Sequence, residues 1–425
     1  MSLPRPLMIA AFIFLRRRVV RLARKRYGPT FTMDLPTLGP SVFLTDPVLI
    51  RQLFTTGPDL IGNTQPNLGR VLGPGSFFNL DGEDHRRQRK LLVPPFHGRR
   101  MKAYESIIEE ETLRETANWP QGKAFPTLPS TMRITLNAIL RAVFGAEGAH
   151  FTALRELLPP MVSLASRLAI LSNLAGVLGY ERAWERYRGY RRRFDAIVSE
   201  LISAAESDPD LDLREDVLSL MLQARYDDGA AMSHSDIGDQ LYTLLAAGHE
   251  TTATTLAWAF ERIRRHPALL ERLVREADEG GSELRQATFI EVQRTRPVID
   301  QTGRRVKAEH LKLGEWIIPK GYNVIASIGM VHTNESVFPN AAAFDPDRFV
   351  GAPPDSYSWI PFGGGTRRCI GAAFATMEMD VVLRTVLRCF TIEPTSAAGE
   401  RWHSRGVAFA PAKGGKVVVH RRSRA

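Results

Sequence analysis

The chain is short of sulfur, of long apolar runs and of internal repetition. Only two cysteines, Cys369 and Cys389, occur among its 425 residues. Two cannot build a disulfide framework, so the usage points to a reducing cytoplasm, and any thiol chemistry must use one of these two side chains. No apolar run reaches the ~20 residues that a membrane span requires. The strongest near the start, Leu7 to Leu15, is followed by Arg16, Arg17, Arg18, Arg21, Arg24, Lys25 and Arg26. A signal peptide carries its charge on the other side of the run. Residues 1–27 are therefore expected to form a basic helix whose membrane contact is at most peripheral. No repeat and no Gly/Ser linker divides the chain, so 1–425 reads as a single domain.

What is present is ordinary in bulk. Lys+Arg 56 against Asp+Glu 46 leaves a net charge of +10, and 44% of residues are hydrophobic. Nucleic acid is not supported as a partner, because no binding motif or interleaved aromatic pattern accompanies the charge. Helical spacing is expected over 99–118, 130–144, 181–206, 214–225, 268–278 and 370–388, with strands in 31–45 and 315–330. A long central helix is expected within 233–266, opened by a capping box at Ser233 and Asp236 and stopped by Pro267. The result is a mainly α body with small sheets.

The middle of that helix is unusual. Ala246-Ala247-Gly248-His249-Glu250-Thr251-Thr252 places a glycine and two β-branched residues where good helix formers are expected. Ala247 and Thr251 share a face, the Thr251 hydroxyl can bond the carbonyl one turn back, and Gly248 leaves room for a close approach. A small-residue helix crossing would explain these residues, but a carboxylate at Glu250 in a buried helix needs a reason of its own. His249-Glu250 does not continue as a zinc motif, since Ala253 stands where the second histidine would be.

The most informative stretch is Phe362-Gly363-Gly364-Gly365-Thr366-Arg367-Arg368-Cys369-Ile370-Gly371. It runs directly into an amphipathic helix, so Cys369 is expected near a helix N-terminus beside two arginines, a setting that favours thiolate. A phosphate loop is excluded by the missing Gly-Lys-Ser/Thr, zinc by the missing partners, and a dithiol site by the distance to Cys389. One activated thiolate remains, as nucleophile or as metal ligand.

At this stretch the chain resembles the cytochrome P450 family, whose haem-ligand loop reads F-x-x-G-x-R-x-C-x-G. Further similarities follow in family order. His85 and Arg89 match its His/Trp-x-x-x-Arg pair, and Ala247-Gly248-His249-Glu250-Thr251-Thr252 its oxygen-activation motif. Glu291 to Pro297 matches E-x-x-R-x-x-P, and Phe344 to Phe349 its P-E-R-F-type segment, with Asp347 in place of Glu. The resemblance implies a cytochrome P450 fold of the soluble bacterial type, with haem b (iron protoporphyrin IX) between the long central helix and the cysteine-loop helix. Cys369 would be the metal ligand, Phe362, Gly365 and Gly371 would shape its loop, and Ala247 and Gly248 would face the haem. His85, Arg89, Arg304 and Arg367 would hold the propionates. Glu291, Arg294 and Arg348 would form a structural network. Thr251 and Glu250 would be catalytic, holding dioxygen and feeding protons.

No flavin or nicotinamide motif is present, so the resemblance implies a ferredoxin-type donor with an NAD(P)H-dependent reductase. The implied activity is insertion of one atom of O2 into a small molecule. The apolar stretch Met161 to Leu178 favours a lipophilic substrate, although ordinary helical core would look the same. Two alternatives stay open: a peroxide-driven haem-thiolate enzyme, and a non-catalytic haem sensor or carrier of lipophilic ligands.

Overall fold

The computed structural model describes residues 5–35, 38–64, 66–96, 98, 101–145, 148–171 and 180–423. Its α-helices are α1 (Arg5–Tyr27), α2 (Pro47–Thr55), α3 (Pro66–Leu72), α4 (Gly82–Leu92), α5 (Met101–Thr116), α6 (Leu128–Phe144) and α7 (Ala149–Leu171). There follow α8 (Tyr180–Glu206), α9 (Val217–Gln223), α10 (His234–Ile263), α11 (Pro267–Glu279), α12 (Glu283–Thr295), α13 (Ile328–Val331) and α14 (Ala372–Cys389). The first strands are β1 (Thr30–Leu35), β2 (Gly39–Leu44), β3 (Ile61–Gly62), β4 (Phe125–Pro126), β5 (Gln301–Val306), β6 (His310–Leu313), β7 (Trp316–Pro319) and β8 (Asn323–Ser327). Five short strands lie beyond α14: β9 (Phe390–Ile392), β10 (Trp402–Ser404), β11 (Phe409–Pro411), β12 (Lys416–Val417) and β13 (Val419–Arg421).

The helices expected from sequence spacing stand close to where they were placed, with ends moved by a few residues. The stretch 31–45 is a hairpin rather than one strand, and 315–330 becomes β7, a turn at Gly321 with φ 83°, β8 and the start of α13. Residues 1–4 of the basic N-terminal segment lie outside the described residues, as do 99–100 of the helix expected from 99.

The central helix begins where its capping box indicated. Ser233 Oγ accepts from Asp236 N at 3.1 Å, satisfying a donor that a helix start leaves free. Its 30 residues span about 45 Å. Most of them are buried against α6 on one side and α12 and α14 on others, which explains why a helix with so little polar surface is stable here. The main sheet has the order β1-β2-β8-β5-β3, with β2 and β8 parallel and the other pairs antiparallel. Pairing of Arg304 with Val324 puts that arginine in the sheet interior, where it is 4% exposed. Phe54, Ile50 and Leu53 of α2 join Val324, Ala326 and Val306 in a cluster beneath the sheet.

α7 passes through Pro159 and Pro160 without a break in the helix. Met161, Val162, Ala165 and Leu168 are each under 6% exposed and belong to the main core. Over the described part of Met161 to Leu178, the apolar character is largely core packing; residues 172–178 lie outside the described residues.

Candidate functional site

Cys369 sits three residues before α14, in an irregular loop entered through a 3-10 turn at Gly365–Arg367. Its backbone N donates to Phe362 O at 2.9 Å, closing the loop on itself. The thiol is accessible and borders a groove of about 580 Å³ shared with Phe362, Trp359, Arg89, Arg368 and Asp380. The surrounding protein desolvates the sulfur and pushes its pKa up, against the Gly371 N–H and the Arg368 and Arg89 charges, which pull it down. The expected thiolate bias is therefore present but outweighed by burial: the group is a thiol until a metal deprotonates it.

Two glycines shape the loop through their contact with α2. A Cβ on Gly364 would run into the Phe54 ring, and one on Gly365, at φ +65°, into the Phe54 carbonyl oxygen. They let the loop lie against the end of α2. Gly371 has open space around it and carries no such constraint.

The cations expected around this loop are gathered in one place. His85 is 4% exposed, its ring tilted at 39° and 4.3 Å from the Phe77 ring, and its Nε2 has no hydrogen-bond partner among the described residues. Burial, then the charges of Arg367 and Arg89, push its pKa down to about 3, with Asp81 opposing and Arg304 adding to the fall. His85 is accordingly a neutral N–H donor or acceptor here, not the cation expected. Arg304 reaches only carbonyl oxygens, those of Gly364 at 2.7 Å and Gly303 at 2.7 Å. Its own pKa is pushed down to about 10 by burial and by Arg367. Arg367 bonds Leu80 O at 2.6 Å and Asp81 Oδ1 at 2.9 Å, and Arg89 bonds Arg368 O at 2.8 Å. Three guanidinium groups face a single carboxylate, a difference of two positive charges that the two carboxylates of a haem would balance.

On α10, Ala247 is exposed and Ala246, Gly248 and Thr251 are half-buried, in a stretch otherwise closed to solvent. Thr251 Oγ1 donates to Ala247 O at 2.8 Å, as its spacing suggested. Gly248 lies at the crossing with α6, where a Cβ would meet Ile139 at 3.4 Å, an ordinary packing distance. Glu250 is 6% exposed, and its Oε1 accepts from Arg405 Nε at 2.8 Å. Sequence spacing gave no sign of this partner, which arrives from the β10–β11 turn. That turn is itself anchored on α7, where Ser166 Oγ accepts from Val407 N at 3.0 Å.

Glu291 and Arg294 form a fully buried two-point pair at 2.6 and 2.7 Å, and Arg348 Nε lies 3.6 Å from Glu291. Arg294 also donates to His332 O, Ala341 O and Ala343 O. His332, which the motifs did not mark, accepts from Ile360 N through Nε2 at 2.9 Å. The network thus reaches the cysteine loop through His332 and Ile360, two residues ahead of Phe362. Only the His332 ring is new; its signal was confined to a lone histidine in an apolar stretch.

Among the described residues no group of three or more His, Cys, Asp or Glu side chains could hold a metal ion. A metal at Cys369 would therefore bring most of its ligands with it. A helical fold that offers one accessible sulfur, an excess of buried cations and an open face on a long helix is the architecture of a haem-thiolate protein. The family model for Cytochrome P450 matches residues 4–415, and the chain belongs to that family. It is 58% identical over 97% of its length to "Putative cytochrome P450 138" of Mycobacterium tuberculosis, covering 93% of that relative. It is 36% identical to "Putative cytochrome P450 135B1" of the same species, over 97% of this chain and 89% of the other. Among solved structures, "Retinoic acid bound cyanobacterial CYP120A1" superposes with a TM-score of 0.86 at 22% identity, covering 97% and 96% of the two chains. Among the described residues no helix is long and apolar enough to cross a membrane.

Proposed function

We propose that this chain is a monooxygenase that inserts one atom of O2 into a lipophilic small molecule, with haem b held through Cys369 and electrons from a separate carrier. The observation that carries the reading is the pairing of an accessible lone sulfur with Arg89, Arg304 and Arg367 gathered around the neutral His85 and the single carboxylate of Asp81, an excess of two positive charges. Haem bound there would supply the redox chemistry, with the thiolate favouring O–O cleavage. Arg304 and Arg367 would hold its carboxylates by charge, and His85 through the free Nε2.

Thr251 faces the same open side of α10 as Ala247 and would turn its hydroxyl from Ala247 O toward dioxygen. Glu250 is the nearest carboxylate in sequence; its Oε1 is held by Arg405, leaving Oε2 to pass a proton toward the Thr251 hydroxyl. The exposed stripe of α10 is apolar apart from that hydroxyl, which supports a lipophilic substrate.

The carrier would be a ferredoxin served by an NAD(P)H-dependent reductase, meeting Arg89 and Arg368 at the rim of a groove beside Cys369 that Glu105 and Asp380 also line. Two little-used cysteines and the absence of a membrane-spanning helix among the described residues support a cytoplasmic setting. The test is the absorbance of the reduced, CO-treated protein. The thiolate signature is expected in the wild type and its loss in Cys369→Ser; an unchanged spectrum in the variant would overturn the reading.

A further inference from the structure

A second cluster of buried cations lies away from the loop. α1 breaks its helical geometry at Leu15, with φ −126° and ψ 20°. Just beyond, Arg16 and Arg17 turn inward while Arg18 and Arg21 stay exposed. The Arg17 guanidinium lies 3.5 Å from the Trp402 ring centre, and that of Arg16 lies 4.6 Å from Phe409. Arg296 approaches the same Trp402 at 5.6 Å and Trp258 at 5.3 Å. The rings of Trp402 and Phe409 are 6.1 Å apart, so all three guanidinium groups crowd round one aromatic pair.

Their charges are not balanced. Arg17 Nη1 lies 3.3 Å from Asp300 Oδ1, and the Asp300 charge also acts on Arg16. The neighbouring Glu261 is committed to Arg262, Arg265 and the Glu400 N–H. Three cations against Asp300 leave a surplus of two. Arg16 Nε and Arg296 Nε are buried with no hydrogen-bond acceptor among the described residues, and Arg17 Nη1 has only the Asp300 carboxylate, 3.3 Å away. Burial lowers the pKa of each, and Arg17 and Arg296 repel one another. Unpaired buried N–H groups and like charges held together both call for an anion.

We propose that Arg16, Arg17 and Arg296 form a subsite for the carboxylate head of a chain-like, amphiphilic substrate. Guanidinium groups fixed on aromatic faces suit a planar carboxylate approached by paired N–H donors. The surrounding rings supply apolar walls for the carbons next to it. The subsite is continuous with the oxidising side of the molecule: Phe409 N donates to Val298 O at 2.9 Å, and the same hairpin carries Arg405 to Glu250. Phe409 pairs with Ser404 across the hairpin, so only the short turn that carries Arg405 lies between the subsite and the Glu250 pair. An acid anchored here would therefore direct its chain, not its carboxyl group, toward Thr251. The inference rests on the reading of the chain as an oxidase of lipophilic molecules and names the class of substrate.

The test uses the haem-loaded full chain. Dodecanoate, methyl dodecanoate and dodecanol are titrated by the spin-state shift and by calorimetry, with acetate and inorganic phosphate as head-group controls. The acid is expected to bind at least ~10-fold more tightly than the ester, the equivalent of one charged hydrogen bond. In Arg16→Gln/Arg296→Gln that preference should fall to about twofold or less, with ester affinity retained. Equal binding of acid and ester by the wild type, or a preference that survives the double substitution, overturns the subsite. Acetate or phosphate binding as tightly as dodecanoate overturns it too, since the site would then hold small anions alone. Should the double variant fail to accumulate, the acid–ester comparison on the wild type still decides. The reduced CO spectrum of the same sample reports on Cys369 and not on this cluster, so the two readings can fail separately.

Discussion

Glu291 shows how much one buried charge carries. It is 0% exposed, accepts twice from Arg294, and takes the Asp345 N–H at 2.9 Å. Removing it leaves Arg294 buried with carbonyl partners alone, at a cost of roughly 3–5 kcal/mol. Glu291→Ala is expected to lower the denaturation midpoint accordingly and to be recovered with less than one haem per chain; a fully loaded variant with an unshifted midpoint would contradict the network. Arg405 offers a subtler case. With its Nε removed in Arg405→Gln, the Glu250 carboxylate loses its one charged hydrogen bond. More peroxide per NAD(P)H consumed is expected, with partial rescue in Arg405→Lys. No change in peroxide yield would separate Arg405 from proton handling. The motif pointed to Glu250 and Thr251, but no pattern in the sequence could point to Arg405, because a turn 155 positions away delivers it.

The cysteine loop and α2 form the next unit. Gly365 has φ +65°, and a side chain there would strike the Phe54 carbonyl. Gly365→Ala should cost about 1–3 kcal/mol and reduce the yield of CO-binding protein. Gly371, at φ −87° with open space around it, should accept alanine with a midpoint near wild type. The comparison is read directly from paired denaturation curves; equal losses would mean that the loop is not held by its contact with α2. Both glycines looked alike in the sequence motif. Their difference comes from Phe54, a residue on an element that no motif connects with the loop. Helix ends were more legible, since Ser233 and Pro267 act on the backbone next to them.

Acid and base should stress the molecule at different points. His332 is 0% exposed, and burial followed by the Arg294 charge pushes its pKa down to about 3 from an ordinary 6.5. Between those values the unfolded chain takes up a proton that the native state refuses. Stability therefore falls as pH drops through that window, by up to ~1.4 kcal/mol per pH unit for this group. His332→Asn should flatten the dependence of unfolding free energy on pH between about 6.5 and 4.5. Glu378 has the opposite sign. Its carboxyl group is fully buried with no cation against it among the described residues, and burial raises its pKa well above the ordinary value, with the Thr252 hydroxyl opposing. Its contribution is complete in acid and is lost as pH rises through the raised value, so Glu378→Gln should gain relative stability under alkaline conditions. An identical alkaline profile would refute a protonated Glu378.

Local chemistry and order along the chain sufficed to name the family, the mainly helical fold and the Glu291–Arg294 pair, because each depends on neighbours in sequence or on a motif with little freedom. The balance of burial against charge at Cys369 and His85, the role of Gly364 and Gly365 as packing positions, and the arrival of Arg405 and Arg16 beside distant elements depended on folding. Desolvation and like-charge crowding are properties of volume, and a linear pattern does not record which remote side chains share it.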